Sequence, residues 1–176
     1  LVGESFAIER LSKFKERLPQ NLHHLLFVVT NQTMAARGDI GFSEFDQAVN
    51  ATFSNLQKSN LIDDFRVCYH HPDAVVQNLR VKDCLCRKPR PGMILELMAK
   101  YDLEMSQCVL VGDRITDILA GEQAGVPLKY LIANERAFEM NQTSNLSEMS
   151  KKICTFTPVK NLVEVADILL LTHGHD

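Results

Sequence analysis

No apolar run in this chain of 176 residues approaches the ~20 needed to cross a bilayer, and no signal-peptide pattern is visible, so a cytoplasmic location away from membranes is expected. Charge of one sign is also scarce. A formal net charge of −3 gives no general steering toward nucleic acid or acidic membranes, so neither is an expected partner. Five cysteines, unevenly placed, do not make a disulfide framework in a cytosolic domain of this size. One short motif is missing as well: Asp-x-Asp occurs nowhere. These residues therefore lack a carboxylate nucleophile with a second carboxylate two positions on. The chain opens on Leu1 rather than Met, and an upstream segment is expected.

The residues that are present fit one domain with a real core. Phe6, Leu11, Phe14 and Leu18 recur at helical spacing and predict a helix over about 4–18. Leu25–Val29 is a short apolar run without alternation, the pattern of a strand buried on both faces. Ser43 is the expected N-cap of a helix through Lys58, with Phe45, Val49, Phe53 and Leu56 on its inner side. Phe65–Tyr69 reads as a strand, followed by about twenty polar, cysteine-bearing residues of loop. Pro91 suits the first turn of a helix through Tyr101, and Gln107–Val111 is another buried strand. Thr116–Ala124 reads as a helix closed by Gly125, Leu128–Ala133 as a strand, and Leu162–Leu171 as a closing helix. Residues 134–152 are polar and read as loop or loose helix. Alternating strands and helices predict an α/β fold, a Rossmann-like parallel sheet with helices on both faces.

In such a sheet ligands bind at the carboxyl ends of the strands. Thr30 follows one buried run and Asp113 another, which places both on the same edge, and Lys88 precedes a helix. A threonine, a lysine and a metal-binding aspartate are what Mg²⁺-dependent phosphoryl transfer requires. Taken singly, each has a plainer role: a strand-end threonine as a turn residue, and the basic cluster Arg80, Lys82, Arg87, Lys88 and Arg90 as solvated surface. Asp117 either supports Asp113, Mg²⁺ or Lys88, or only complements the dipole of its helix.

Cys68-x-His70 and Cys84-x-Cys86 supply three thiolates and one imidazole, a set for tetrahedral Zn²⁺ with no open position. Such an ion would staple a loop that has no core of its own. His71 could take the place of His70. Cys108 and Cys154 sit in apolar contexts and are expected to be buried.

The segments Val29-Thr30-Asn31-Gln32, Ala36-Arg37-Gly38, Cys68-Tyr69-His70-His71-Pro72, Cys84-Leu85-Cys86-Arg87-Lys88-Pro89, Pro91-Gly92-Met93 and Val111-Gly112-Asp113-Arg114 occur in this order. Over about residues 1–133 the chain resembles the zinc-containing haloacid-dehalogenase-type phosphatases. The resemblance implies hydrolysis of a small phosphorylated substrate, a sugar phosphate, above all D-glycero-D-manno-heptose 1,7-bisphosphate. Histidinol phosphate or another small phosphomonoester is the alternative within the family. A non-catalytic zinc-stabilised binding module is the alternative outside it. By resemblance, Thr30 binds the transferring phosphoryl group, and Asn31, Gln32 and Thr33 complete the substrate loop. Lys88 neutralises the equatorial oxygens, Arg87 reads the substrate, Asp113 ligates Mg²⁺ and Arg114 contacts phosphate or sugar. The family's nucleophile lies on an Asp-x-Asp strand upstream of the first helix, central between the strands that end at Thr30 and Asp113. That strand is the one expected upstream of Leu1.

Overall fold

Among the described residues every strand pairing is parallel, as buried runs separated by helices require. The structure is a computed structural model that describes residues 2–20, 23–132 and 155–173. In chain order the elements are α1 (Val2–Arg17), β1 (Phe27–Asn31), α2 (Met34–Arg37), α3 (Phe42–Lys58), β2 (Asp64–Cys68), α4 (Gly92–Tyr101), β3 (Val109–Gly112), α5 (Ile115–Ala124), β4 (Leu128–Ile132), β5 (Thr157–Val159) and α6 (Leu162–His173). They form two units: Leu26–Leu103, and Leu1–Leu25 with Glu104–Asp176.

In the unit Leu26–Leu103, β1 and β2 pair in the register Thr30 with Val67 and Asn31 with Cys68. Helix α4 packs against both strands and buries Met93 and Leu97. Helix α3 turns Phe45 and Leu56 inward, and Phe53 stacks on Phe65 at 4.9 Å between ring centroids. The helix starts one residue before the expected cap. Gly41, in extended conformation, holds the cap position and its carbonyl accepts the Phe45 N–H at 3.0 Å. The Ser43 hydroxyl instead meets the Gln47 amide one turn on, at 3.3 Å. Helix α2 is a further difference. Its Ala35 and Ala36 are fully buried, and they pack with Phe45, Ala74 and Leu79. Ala74 and Leu79 of the cysteine-bearing segment thus share a small core with α2 and α3, contrary to the expectation of bare loop.

The other unit carries the order β3-β4-β5, with α5 packed on β3 and β4. Ile118 and Val165 are fully buried there, and α1 meets α6 through Arg17 and Asp167 at 2.8 Å. Strand β5 was not expected from the sequence. Pro158 at its centre lacks an N–H, which suits its place at the end of the order. Gly125 closes α5 at φ +83°, as its place in the sequence predicts. Cys108 is half-exposed rather than buried, because it precedes β3 and its thiol turns to the Glu104 carbonyl at 3.5 Å. Residues 134–152 and Cys154 lie outside the described residues.

The expected single sheet is present as one sheet of two strands and one of three. Among the described strands β1 pairs only with β2, and β3 only with β4. Every residue of β1 is consequently half-buried, although its apolar run predicts burial on both faces. A strand with one neighbour keeps an open edge.

Candidate active site

At the carboxyl end of β1 four consecutive residues point into one hydrogen-bonded corner. The Val29 carbonyl accepts the Lys88 ammonium at 2.6 Å. The Thr30 hydroxyl accepts the Gln32 side-chain amide at 3.3 Å. Asn31 Oδ1 accepts the Lys88 N–H and its Nδ2 donates to the Lys88 carbonyl, both at 3.1 Å. The Gln32 N–H continues the ladder to the Cys68 carbonyl at 2.8 Å. Thr33 follows at the start of α2, where its carbonyl accepts the Arg37 N–H at 3.1 Å. A hydroxyl and an ammonium held on one strand end suit a phosphoryl group.

Beside this corner, at the end of β2, lie Cys68, His70, Cys84 and Cys86. Their ligand atoms all fall within 4.8 Å of one another. Cys84 Sγ is 3.1 Å from both Cys86 Sγ and His70 Nδ1, and 3.7 Å from Cys68 Sγ. His70 Nδ1 is 3.8 Å from Cys68 Sγ and 3.5 Å from Cys86 Sγ. Tetrahedral bonds of about 2.3 Å to sulfur and about 2.0 Å to nitrogen would put the donors roughly 3.5–3.8 Å apart, so the set fits one such ion with little movement. His71 is not part of it, since its Nδ1 accepts the Asp73 N–H at 3.1 Å.

The thiols also behave as a shared site. Burial raises Cys68, and burial with the Cys84 contact raises Cys86. Burial opposes ionisation of Cys84 too, but the Cys86 thiol and the Arg87 and Cys86 N–H groups hold it below the usual thiol range. Three crowded, partly buried thiols oppose one another's ionisation, which a bound cation would relieve. The set is tied to the corner: Arg87 donates to the His70 carbonyl at 2.9 Å, and Lys88 is the next residue. Gly92 then packs so tightly on the loop that a Cβ there would sit 2.4 Å from the Leu85 carbonyl oxygen.

Asp113, Arg114 and Asp117 belong to the other unit. Asp113 and Arg114 follow β3 and are exposed, while Asp117 is buried in the first turn of α5. Asp117 Oδ2 accepts the N–H of Asp113 at 3.2 Å and of Arg114 at 3.0 Å. The turn is thus held by its main chain, and the Asp113 carboxylate stands in solvent, fit for a hard cation. Gly112 makes room for this: a Cβ would lie 2.3 Å from Asp117 Cβ. Sequence reasoning missed both Gly92 and Gly112 as close-approach positions. The only sign was a glycine beside each charged motif.

Residues 85–131 match the HAD-hydrolase-like family model. A D-glycero-alpha-D-manno-heptose-1,7-bisphosphate 7-phosphatase of Photorhabdus laumondii is 38% identical over 115 residues, 64% of this chain and 62% of its own length. A D-glycero-beta-D-manno-heptose-1,7-bisphosphate 7-phosphatase of Haemophilus ducreyi is 33% identical over 132 residues, 74% of this chain and 71% of its own. The solved D,D-heptose 1,7-bisphosphate phosphatase from B. bronchiseptica, complexed with magnesium and phosphate, matches with a TM-score of 0.62 at 25% identity, over 84% of this chain and 75% of that one. A putative HAD-like phosphatase from Mesorhizobium loti matches with a TM-score of 0.58 at 28% identity, over 73% and 59%. The chain spans under two thirds of the length of the first of these relatives. By these likenesses the chain belongs to the HAD-like phosphatase family, alongside the heptose-1,7-bisphosphate 7-phosphatases.

Proposed function

We propose that this chain is part of a Mg²⁺-dependent phosphatase that hydrolyses a sugar bisphosphate, D-glycero-D-manno-heptose 1,7-bisphosphate, in the cytoplasm. The observation that carries the reading is the corner at the end of β1, where the Thr30 hydroxyl and Lys88 ammonium share one strand end. The reading is supported by the likeness of the chain to relatives named for that substrate.

Thr30 would donate its hydroxyl to a phosphoryl oxygen, and Lys88 would leave the Val29 carbonyl to neutralise the charge that builds on the equatorial oxygens. Gln32 and Thr33 complete the loop. Arg87 and Arg114 supply guanidinium forks for phosphate or sugar oxygens. Mg²⁺, when bound at Asp113, would offset phosphate charge, and Asp117 holds that turn in place. Zn²⁺ on Cys68, His70, Cys84 and Cys86 would be structural, because all four positions are filled by protein. Thr30, Arg87 and Lys88 carry no carboxylate, and in this reading Asp113 is engaged by Mg²⁺, which leaves the group that forms an aspartyl-phosphate and the acid that serves the leaving oxygen to be supplied. We assign those two roles to an Asp-x-Asp strand that pairs with the open edge of β1.

The test is phosphate release by the full gene product from heptose 1,7-bisphosphate, histidinol phosphate and simple phosphomonoesters, with and without Mg²⁺. The reading expects Mg²⁺-dependent release with the heptose bisphosphate preferred. Preference for histidinol phosphate would move the substrate within the family, and no release from any ester would make the chain a binding module.

A further inference from the structure

We infer that Asn31 is a positioning residue for Lys88 rather than a reader of the sugar. The inference rests on the reading above of Lys88 as the phosphate-neutralising cation. Lys88 lies in the loop after the thiol set and carries a long, flexible side chain, so where its ammonium can reach depends on where its main chain is fixed. One side-chain amide does that fixing. Asn31 gives its acceptor to the Lys88 N–H and one donor to the Lys88 carbonyl, at 3.1 Å each. These are the two bonds a neighbouring strand would make, formed between residues 57 apart in sequence.

Only asparagine suits this place. Aspartate could accept the N–H but would set an oxygen against the Lys88 carbonyl, and glutamine would carry its amide one carbon further out. The ammonium end of Lys88 returns to the same strand at the Val29 carbonyl, 2.6 Å away. Lys88 is therefore anchored to β1 on either side of Thr30, at Val29 by its head and at Asn31 by its main chain. Gln32 steadies the Thr30 hydroxyl from the next position at 3.3 Å. The phosphate-binding hydroxyl and the ammonium are in this way registered to each other through four consecutive residues. With its Oδ1 and one N–H on Lys88, the Asn31 amide is held in the orientation of the clamp.

The test compares Asn31→Ala and Asn31→Asp with the wild type in the full gene product. Turnover is read on the heptose bisphosphate and on p-nitrophenyl phosphate, and amide exchange at Lys88 is read by NMR. Positioning predicts that kcat falls about 100-fold on both esters while KM stays within about threefold, since a displaced Lys88 harms every phosphoryl group alike. The Lys88 amide should exchange at least about tenfold faster in Asn31→Ala, with zinc content retained. A KM increase of about tenfold confined to the heptose substrate would overturn the inference in favour of direct sugar recognition. An unchanged Lys88 exchange rate would overturn it as well. The exchange arm stands even if the wild type turns over neither ester, so a failed phosphatase reading is distinguishable from a failed clamp. Should Asn31→Ala not fold, Asn31→Asp carries both readouts.

Discussion

The two strand ends that carry the candidate chemistry are built on opposite plans. At β1 the corner is assembled from distant residues: Asn31 clamps Lys88, Gln32 reaches the Cys68 carbonyl, and four metal-type ligands converge from Cys68 through Cys86. At β3 the turn holds itself. Asp117, four residues after Asp113, bonds the turn amides, and Gly112 leaves it space. Loop closure over many residues costs entropy that local bonds do not incur. The first corner thus needs an added staple, and the second does not. The difference predicts that metal loss will disable one corner and leave the other intact.

The largest effect should come from Asp113→Asn in the active gene product. Loss of one hard ligand and one charge should lower turnover about 1,000-fold or more, with circular dichroism and zinc content unchanged. Near-normal Mg²⁺ dependence would break the assignment of this corner to Mg²⁺. Next comes Cys84→Ser, which removes the central thiol of the set. Zinc should be lost, the segment 69–92 should become protease-sensitive, and turnover should fall about 100-fold through the displaced Lys88. Amide exchange around Asp113 should not change. Elemental analysis that finds no zinc in metal-replete wild type would remove the staple from the account.

Gly112→Ala sharpens the contrast from the other side. Its Cβ would drive into Asp117 at 2.3 Å, so a loss of about 1–3 kcal/mol in stability is expected, with weaker Mg²⁺ activation and full zinc content. The smallest effect concerns Asp64, at the far end of β2 from the Thr30 corner. Burial would raise its carboxyl, but the Lys100 ammonium, the Phe65 N–H and Arg66 together bring it down to about 2. A folded value below the unfolded ~3.9 means that its stabilisation is complete above about pH 4 and is lost as pH falls toward 2. Asp64→Asn should therefore cost less than about 1 kcal/mol at pH 7, because the Lys100 partner is solvent-exposed, and flatten the acid limb of the stability curve between about pH 4 and 2. Unaltered acid unfolding would show the network to be idle.

The two plans also explain what the sequence could tell. Strong runs such as Leu25–Val29 and the spacing of Phe45, Val49, Phe53 and Leu56 located β1 and α3, because periodicity records which face is covered. Helix α2 and strand β5 escaped, since four and three residues are too short to show a period. The exposure of β1 escaped because an open edge depends on which strands pair, not on the run itself. The paired Cys-x-His and Cys-x-Cys spacing made the thiol set legible, but the choice of His70 over His71 required the direction of each ring. That Asn31 bonds Lys88 could not be read at all, as nothing local links residues 57 apart. Asp117 was legible as a helper four residues on, though not as the holder of main-chain amides.

The central claim is that these residues bind and neutralise phosphate but take their nucleophile from elsewhere. Phosphate release from heptose 1,7-bisphosphate with Mg²⁺, by residues 1–176 alone and by the same residues joined to a strand ending in Asp-x-Asp, tests it most directly. The account predicts background release by the first and Mg²⁺-dependent turnover by the second, lost again when the first aspartate becomes asparagine. Robust Mg²⁺-dependent turnover by residues 1–176 alone would contradict it.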